Sequence, residues 1–263
     1  MFSIAGIDLL EKELLNNERT LLEILLQDKT TKKNIIWATD DYAELGEPYS
    51  FKKEILPELV TGEQDSLIQP RVEKALEHQT NRTRDKAEVF TPSWICNAQN
   101  NLVDEQWFGR KDVFNIQKEM SWKATADKIA FPDDRQHTWQ KYVDAQRLEI
   151  SCGEAPYLVS RYDTVTGETI PISQRIGLLD RKLRVIGENT DTEEEWFTWT
   201  KRAFQSVYGF EYQGDSLLLA RENLFVTFVE VYRERFGKLP HLRQMKVIAN
   251  IIALYGKLHR KFI

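Results

Sequence analysis

The chain has 263 residues, enough to bury a full core as one large or two small domains. With 41% hydrophobic and 29% charged residues it has the composition of a soluble globular protein. Its net charge of −5 excludes a wholly basic nucleic-acid coat but leaves room for a local basic face.

The two cysteines, Cys96 and Cys152, lack CxxC spacing, which argues against a disulfide framework or zinc site and for a reducing compartment. The opening MFSIAGIDLLEKELL has neither the basic start nor the apolar run of a signal peptide. The longest apolar run, 247–255, is interrupted by Asn250 and is too short to span a bilayer. Together these features predict a cytoplasmic protein without a membrane partner.

In chain order, Ile7, Leu10, Leu14, Leu21 and Leu25 predict an amphipathic helix over 7–27 with a core-facing stripe. Asn34 to Ala38 reads as a short strand or buried segment. Residues 44–85 are polar and broken by Pro48, Pro57, Gly62 and Pro70, which predicts short elements and loops. Arg71, Lys74, Arg82 and Arg84 form either a solvated face or a phosphate-contacting edge. In the run Lys86 to Ile95, Pro92 should hold Thr91 extended, and Ser93 should cap a helix through Ile95, Ala98, Leu102 and Val103. The aromatics between 104 and 146 are expected to fill an irregular core.

Leu148-Glu-Ile-Ser-Cys-Gly-Glu-Ala-Pro-Tyr-Leu158 has the pattern of a strand that stops in a tight turn and opens a helix, with Pro156 in its first turn. A helix start offers free N–H groups and a positive dipole end, a place suited to a nucleotide-like or carboxylate-bearing ligand. Helices are predicted over 173–186, with Arg175, Arg181, Lys182 and Arg184 around its apolar face, and over 192–205. A buried strand at Val207 to Phe210 places Glu211 at its carboxyl end, where an acid can accept hydrogen bonds from ribose hydroxyls. Asp215-Ser216 should cap a helix over 217–228, and a last helix should run from Leu242 to Leu254.

Three of these stretches, in this order, resemble the class I methyltransferases that modify adenine N6 in DNA within restriction–modification systems. Ala87-Glu-Val-Phe-Thr-Pro92 resembles that family's Glu-Val-Phe-Thr-Pro run. LEISCGEAPYL resembles its S-adenosylmethionine loop, Leu-Asp-Pro-Ala-Cys-Gly-Ser-Gly-Ala-Phe-Leu. VYGFEYQGDSLLLARENL resembles its second-strand motif. The resemblance implies that Phe90, Thr91 and Pro92 pack on the methionine part of S-adenosylmethionine. Glu149, Ser151, Cys152 and Gly153 line its loop, Glu211 holds the ribose and Tyr212 lies near the adenine.

It implies an α/β fold in which a helical N-terminal region, 1–85, precedes a partial Rossmann-like methyltransferase sheet in 86–263. The expected partner is double-stranded DNA, and the chain is expected to be a natural truncation, the product of a disrupted gene, or one piece of a split enzyme whose second polypeptide carries the missing catalytic half. The chain departs from the family at Glu154 and Ala155, where Ser and Gly are usual. It also contains no Pro-Pro, so the catalytic Asn/Asp/Ser-Pro-Pro-aromatic tetrapeptide is absent and no catalytic residue is expected in it. The alternative is a non-catalytic DNA- or protein-binding module that uses the basic residues at 71–84 and 175–184.

Overall fold

The computed structural model describes residues 20–61, 67–73 and 91–255. Its ordered elements are α1 (Ser93–Phe108), a hairpin of β1 (Asn115–Lys118) and β2 (Ser121–Ala124), α2 (Trp139–Asp144), β3 (Arg147–Ile150), α3 (Leu178–Asn189), α4 (Glu193–Gln205), β4 (Val207–Phe210), α5 (Gly214–Phe236) and α6 (Leu242–Tyr255). The fold is mixed α/β, and the two sheets among the described residues have two strands each. No helix among the described residues is long and apolar enough to cross a membrane.

The axis of the fold is α5, a helix of 23 residues, roughly 35 Å at 1.5 Å per residue. It is buried around most of its circumference, with Arg221, Glu222 and Asn223 inside beside its apolar side chains. Leu218, Phe225, Val226 and Phe228 are fully buried on it. Residues 20–26 are helical and bury Leu21, Leu22, Leu25 and Leu26 in the same core. Arg221 of α5 reaches back to them, donating from Nη1 to the Leu25 carbonyl at 2.5 Å and the Gln27 carbonyl at 3.2 Å. The part of the expected 7–27 helix before residue 20 lies outside the described residues.

Asn34 to Ala38 is a buried segment held by isolated bridges, Gln27 to Asn34 and Ile36 to Glu54, with Trp37 fully buried. The polar stretch after it forms short 3₁₀ turns at Ala43–Leu45, Glu47–Tyr49, Pro57–Leu59 and Arg71–Glu73. Most of the basic stretch 71–84 lies outside the described residues.

Several elements differ from the sequence expectation. In α1 the buried face is polar: Asn97, Asn100 and Asp104 are inside, while Leu102 is 63% exposed. The inversion follows from Arg181 of α3, buried at 2% exposure. Its guanidinium donates to Asp104 at 2.5 Å and to Asn97 and Asn101 at 2.8 Å. The start of α1 is capped from outside. Ser93 is the first helical residue, and its amide donates to Asp163 Oδ2 at 2.7 Å.

Asp215 and Ser216 lie in the first turn of α5 rather than at its cap, which is Gln213, and α5 continues eight residues beyond the expected end at 228. The helix expected over 173–186 begins at Leu178, preceded by a 3₁₀ turn at Ile172–Gln174. The basic residues of 175–184 do not form a surface. Arg175 pairs with Glu230 at 2.6 Å, Arg181 is in the α1 network, and Arg184 binds the carbonyls of Phe114, Thr125 and Asp127. Lys182 Nζ donates to the Ala145 carbonyl and Ser206 Oγ, and burial, with Arg147 adding, pushes its amine down to about 6.

The aromatics of 104–146 do fill a core. Trp107, Phe108, Phe114, Phe131 and Tyr142 meet in edge, tilted and stacked pairs with centroids 4.7–6.2 Å apart.

Candidate functional site

The site is built on β3 and β4, which pair in parallel with Ile150 opposite Phe210 and Glu149 opposite Gly209. Both strands therefore end at the same edge, and the loops leaving them meet there. The Gly153 amide donates to Glu211 Oε2 at 2.7 Å, so the glycine loop and the acid past the second strand border one crevice. The other oxygen of Glu211 accepts the amides of Tyr212 at 2.8 Å and Gln213 at 3.1 Å. A carboxylate offers about four lone-pair sites, so three amides leave capacity for a further donor. Ser151 and Tyr212 are exposed at this edge, and the ring of Tyr212 lies 6.3 Å from that of Phe51.

The loop is strained as well as tight. Ser151, Gly153 and Ala155 all have positive φ, at 55°, 52° and 64°. The left-handed region is free for glycine and costs other residues roughly 1–2 kcal/mol. Ala155 thus holds, at a cost, a conformation that glycine adopts without one. Glu154 pins the loop from outside, accepting the Arg71 amide and the Tyr162 hydroxyl, each at 2.6 Å.

The expected helix does not open after this loop. The Leu158 and Val159 amides both turn back to the Ala155 carbonyl, and the chain then leaves. Two carbonyls that would continue such a helix, Tyr157 and Leu158, accept the Leu178 and Leu179 amides of α3, both at 2.8 Å. Gly177 permits this approach, because a Cβ there would lie 2.3 Å from the Leu158 carbonyl oxygen. Ser160 completes the junction through its amide and hydroxyl, which both donate to Asp180 Oδ2.

Two residues of the loop motif lie beneath the crevice. Cys152 is 3% exposed and sits against Gly209, where a Cβ would be 3.0 Å from Sγ. Burial, with the charges of Glu149 and Glu211 adding, pushes its thiol well above the ordinary range. Glu149 is 8% exposed. Its Oε1 accepts the Tyr157 amide at 3.4 Å, and Oε2 has no hydrogen-bond partner among the described residues. Burial pushes the Glu149 carboxyl up to about 8, against the pull of the Tyr157 and Leu158 amides, with Glu211 adding to the rise.

The folded state therefore keeps the Glu149 proton to about pH 8, while the unfolded chain loses it near 4.5. Between those values the folded state binds more protons, so this group's contribution to stability falls as pH rises. Glu149→Gln is expected to leave the thermal midpoint nearly unchanged at pH 5 and to raise it at pH 9. Differential scanning calorimetry at the two pH values checks this, and an equal shift at both contradicts it.

The third stretch reaches the site through Tyr157. The Tyr157 side chain interacts with those of Thr91 and Cys96, and its amide faces Glu149. Thr91 is half-buried, and its carbonyl accepts the Thr164 hydroxyl at 3.3 Å. Pro92 is half-buried as the residue before α1, and Phe90 lies outside the described residues. Tyr157 and Phe51 were not singled out from the sequence. Tyr157 lies inside the loop motif, whereas nothing local marks Phe51.

On the inner side of the strands, Cys152, Ala155, Leu158, Phe204 and Gly209 line part of a cavity of about 30 Å³. No protein-family model, curated protein sequence or solved structure matches this chain.

Proposed function

We propose that the chain is the N-terminal, S-adenosylmethionine-binding portion of a cytoplasmic DNA adenine-N6 methyltransferase of a restriction–modification system. The observation that carries this reading is the parallel pairing of Ile150 with Phe210, which brings the Gly153 amide to 2.7 Å from the Glu211 carboxylate. On this reading β3 and β4 are two neighbouring strands of a Rossmann-like sheet. Gly153 has no side chain to block a ligand at the strand ends, and Ser151 and Tyr212 stand open there.

Glu211 would hold the ribose with its remaining acceptor capacity, and Tyr212, beside Phe51, would lie near the adenine ring. Thr91 and Pro92, with Phe90 before them, would pack on the methionine part. Ser151 and Gly153 would line the loop, shaped from below by Cys152 and Glu149. When bound, the cofactor supplies the methyl group.

The target, double-stranded DNA, hides adenine N6 within the base pair, so such enzymes flip the base into a pocket. This chain has no Pro-Pro with which to build that pocket's tetrapeptide. A part of the enzyme outside these 263 residues, or a second polypeptide, would supply it and would cover the outer face of the strands. Leu148 is 53% and Ile150 72% exposed on that face, an arrangement unlike parallel sheets, which are covered on both sides.

The expected result is cofactor binding without methyl transfer. Incubation of the purified chain with methyl-labelled S-adenosylmethionine and unmethylated duplex DNA should leave the DNA unlabelled. Label in adenine would refute the assignment of catalysis outside this chain.

A further inference from the structure

An open groove of about 630 Å³ runs between α4 and α6. Its lining is one-sided in charge. Lys201 of α4 and Arg243 and Lys246 of α6 contribute three cations, and no carboxylate lines it among the described residues. Gln205 and Asn250 add amide groups, over a floor of Leu242, Val247 and Ile251.

Lys201 Nζ sits 5.3 Å from the Phe197 ring centroid, a contact that orients the ammonium without a counter-charge. The neighbouring acids are engaged elsewhere. Asp144 takes Arg202 at 2.5 Å, and Glu193 takes Lys238 at 2.7 Å and the Tyr232 hydroxyl at 2.5 Å. Leu242 and Arg243 open α6, so the positive end of that helix dipole adds to the same field.

The groove is separate from the crevice. Gln205 closes α4 two residues before β4 begins, whereas Glu211 follows the last residue of β4. The two sites therefore lie toward opposite ends of a four-residue strand, roughly 13 Å at about 3.3 Å per residue.

We infer that this groove binds the phosphodiester backbone of a nucleic acid, at a place distinct from the site of cofactor binding. Three cations with amide donors between them match a line of phosphates. Contacts from cations to phosphates position a nucleic acid without specifying its sequence. The inference stands whether or not the crevice takes S-adenosylmethionine.

Fluorescence anisotropy with a labelled 20-base-pair duplex and its single strand tests it. Three neutralised phosphates give a duplex affinity whose logarithm falls with log salt at a slope of about −2.7. Arg243→Glu with Lys246→Glu should weaken binding at least about tenfold near 0.1 M salt, whereas Lys118→Glu on the hairpin should change it less than twofold. Circular dichroism and cofactor titration of the same variants separate loss of fold, or of the crevice, from loss of the groove. Affinity for the single strand alone, with the same dependence on Arg243 and Lys246, keeps the groove and assigns it to unpaired nucleic acid. Three outcomes overturn the inference: binding to neither nucleic acid at low salt, binding indifferent to the charge reversals, or preferential binding of polyglutamate through the same residues.

Discussion

Arg181→Ala is expected to be the most destabilising single substitution in the described residues. Arg181 and Asp104 pair at 2.5 Å with side chains 1% and 2% exposed, and Asp104 also accepts the Tyr142 hydroxyl at 2.9 Å. Removing the guanidinium leaves a buried carboxylate without its counter-charge and takes the Arg181 donor from the Asn101 oxygen, while the Asn97 oxygen keeps the Asn115 amide at 2.8 Å. Breaking a buried pair from one side costs about 3–5 kcal/mol. At about 2–4 °C per kcal/mol for a chain of this size, the thermal midpoint should fall by on the order of 10 °C. Adding Asp104→Asn should recover part of the loss, because it removes the stranded charge. Thermal unfolding of the wild type, the single and the double variant checks both statements. A midpoint within 2 °C of wild type for Arg181→Ala, inside one kcal/mol on that scale, would show that the network does not hold α1 to α3.

The second large effect belongs to the crevice. Glu211 is 9% exposed and is the acceptor at which the glycine loop and the β4 loop meet. If it holds a ribose hydroxyl, losing that one hydrogen bond to a charged acceptor, worth about 1.5–3 kcal/mol, weakens S-adenosylmethionine by roughly 10- to 100-fold. Glu211→Ala also frees the amides of Gly153, Tyr212 and Gln213, so part of any loss could come from a relaxed loop. Glu211→Gln keeps a side-chain oxygen for the Tyr212 and Gln213 amides but turns its NH2 group toward the Gly153 amide, and it lowers acceptor strength. It should weaken binding less than Glu211→Ala, with a thermal midpoint between those of the wild type and Glu211→Ala. Equal losses in the two variants would assign Glu211 to loop structure alone.

Legibility in the sequence followed the range of the interactions. The strand Val207–Phe210, the helices 193–205 and 242–255 and the acid after β4 were readable because local periodicity and caps determine them. Thr192 does cap α4, accepting the Glu195 amide at 3.2 Å. The meeting of Gly153 with Glu211 was implied by the resemblance, which puts both motifs on one cofactor, and by no local pattern. The inward polar face of α1 was not readable, since its partner Arg181 lies 77 residues beyond Asp104. Leu102 and Val103 satisfied the helical period and still point outward, because buried hydrogen bonds outweighed two apolar side chains.

The missing helix after the glycine loop has the same kind of cause. Its carbonyls are taken by α3, and only the close approach at Gly177 reveals that. The expected basic face at 175–184 failed because each of its cations found an internal acceptor. The cations that line the groove between α4 and α6, Lys201, Arg243 and Lys246, come from two helices and form no run in the sequence.

The resemblance to adenine-N6 methyltransferases rests on three short motifs, and the geometry bears on it through one junction. The most direct test of the account is isothermal titration calorimetry of the wild-type chain with S-adenosylmethionine, run beside Glu211→Gln and Glu211→Ala. The account predicts one saturable site in the wild type, weaker binding in Glu211→Gln and weaker still in Glu211→Ala, with all three proteins equally folded. No binding by a folded wild type, or binding indifferent to both substitutions, would contradict it.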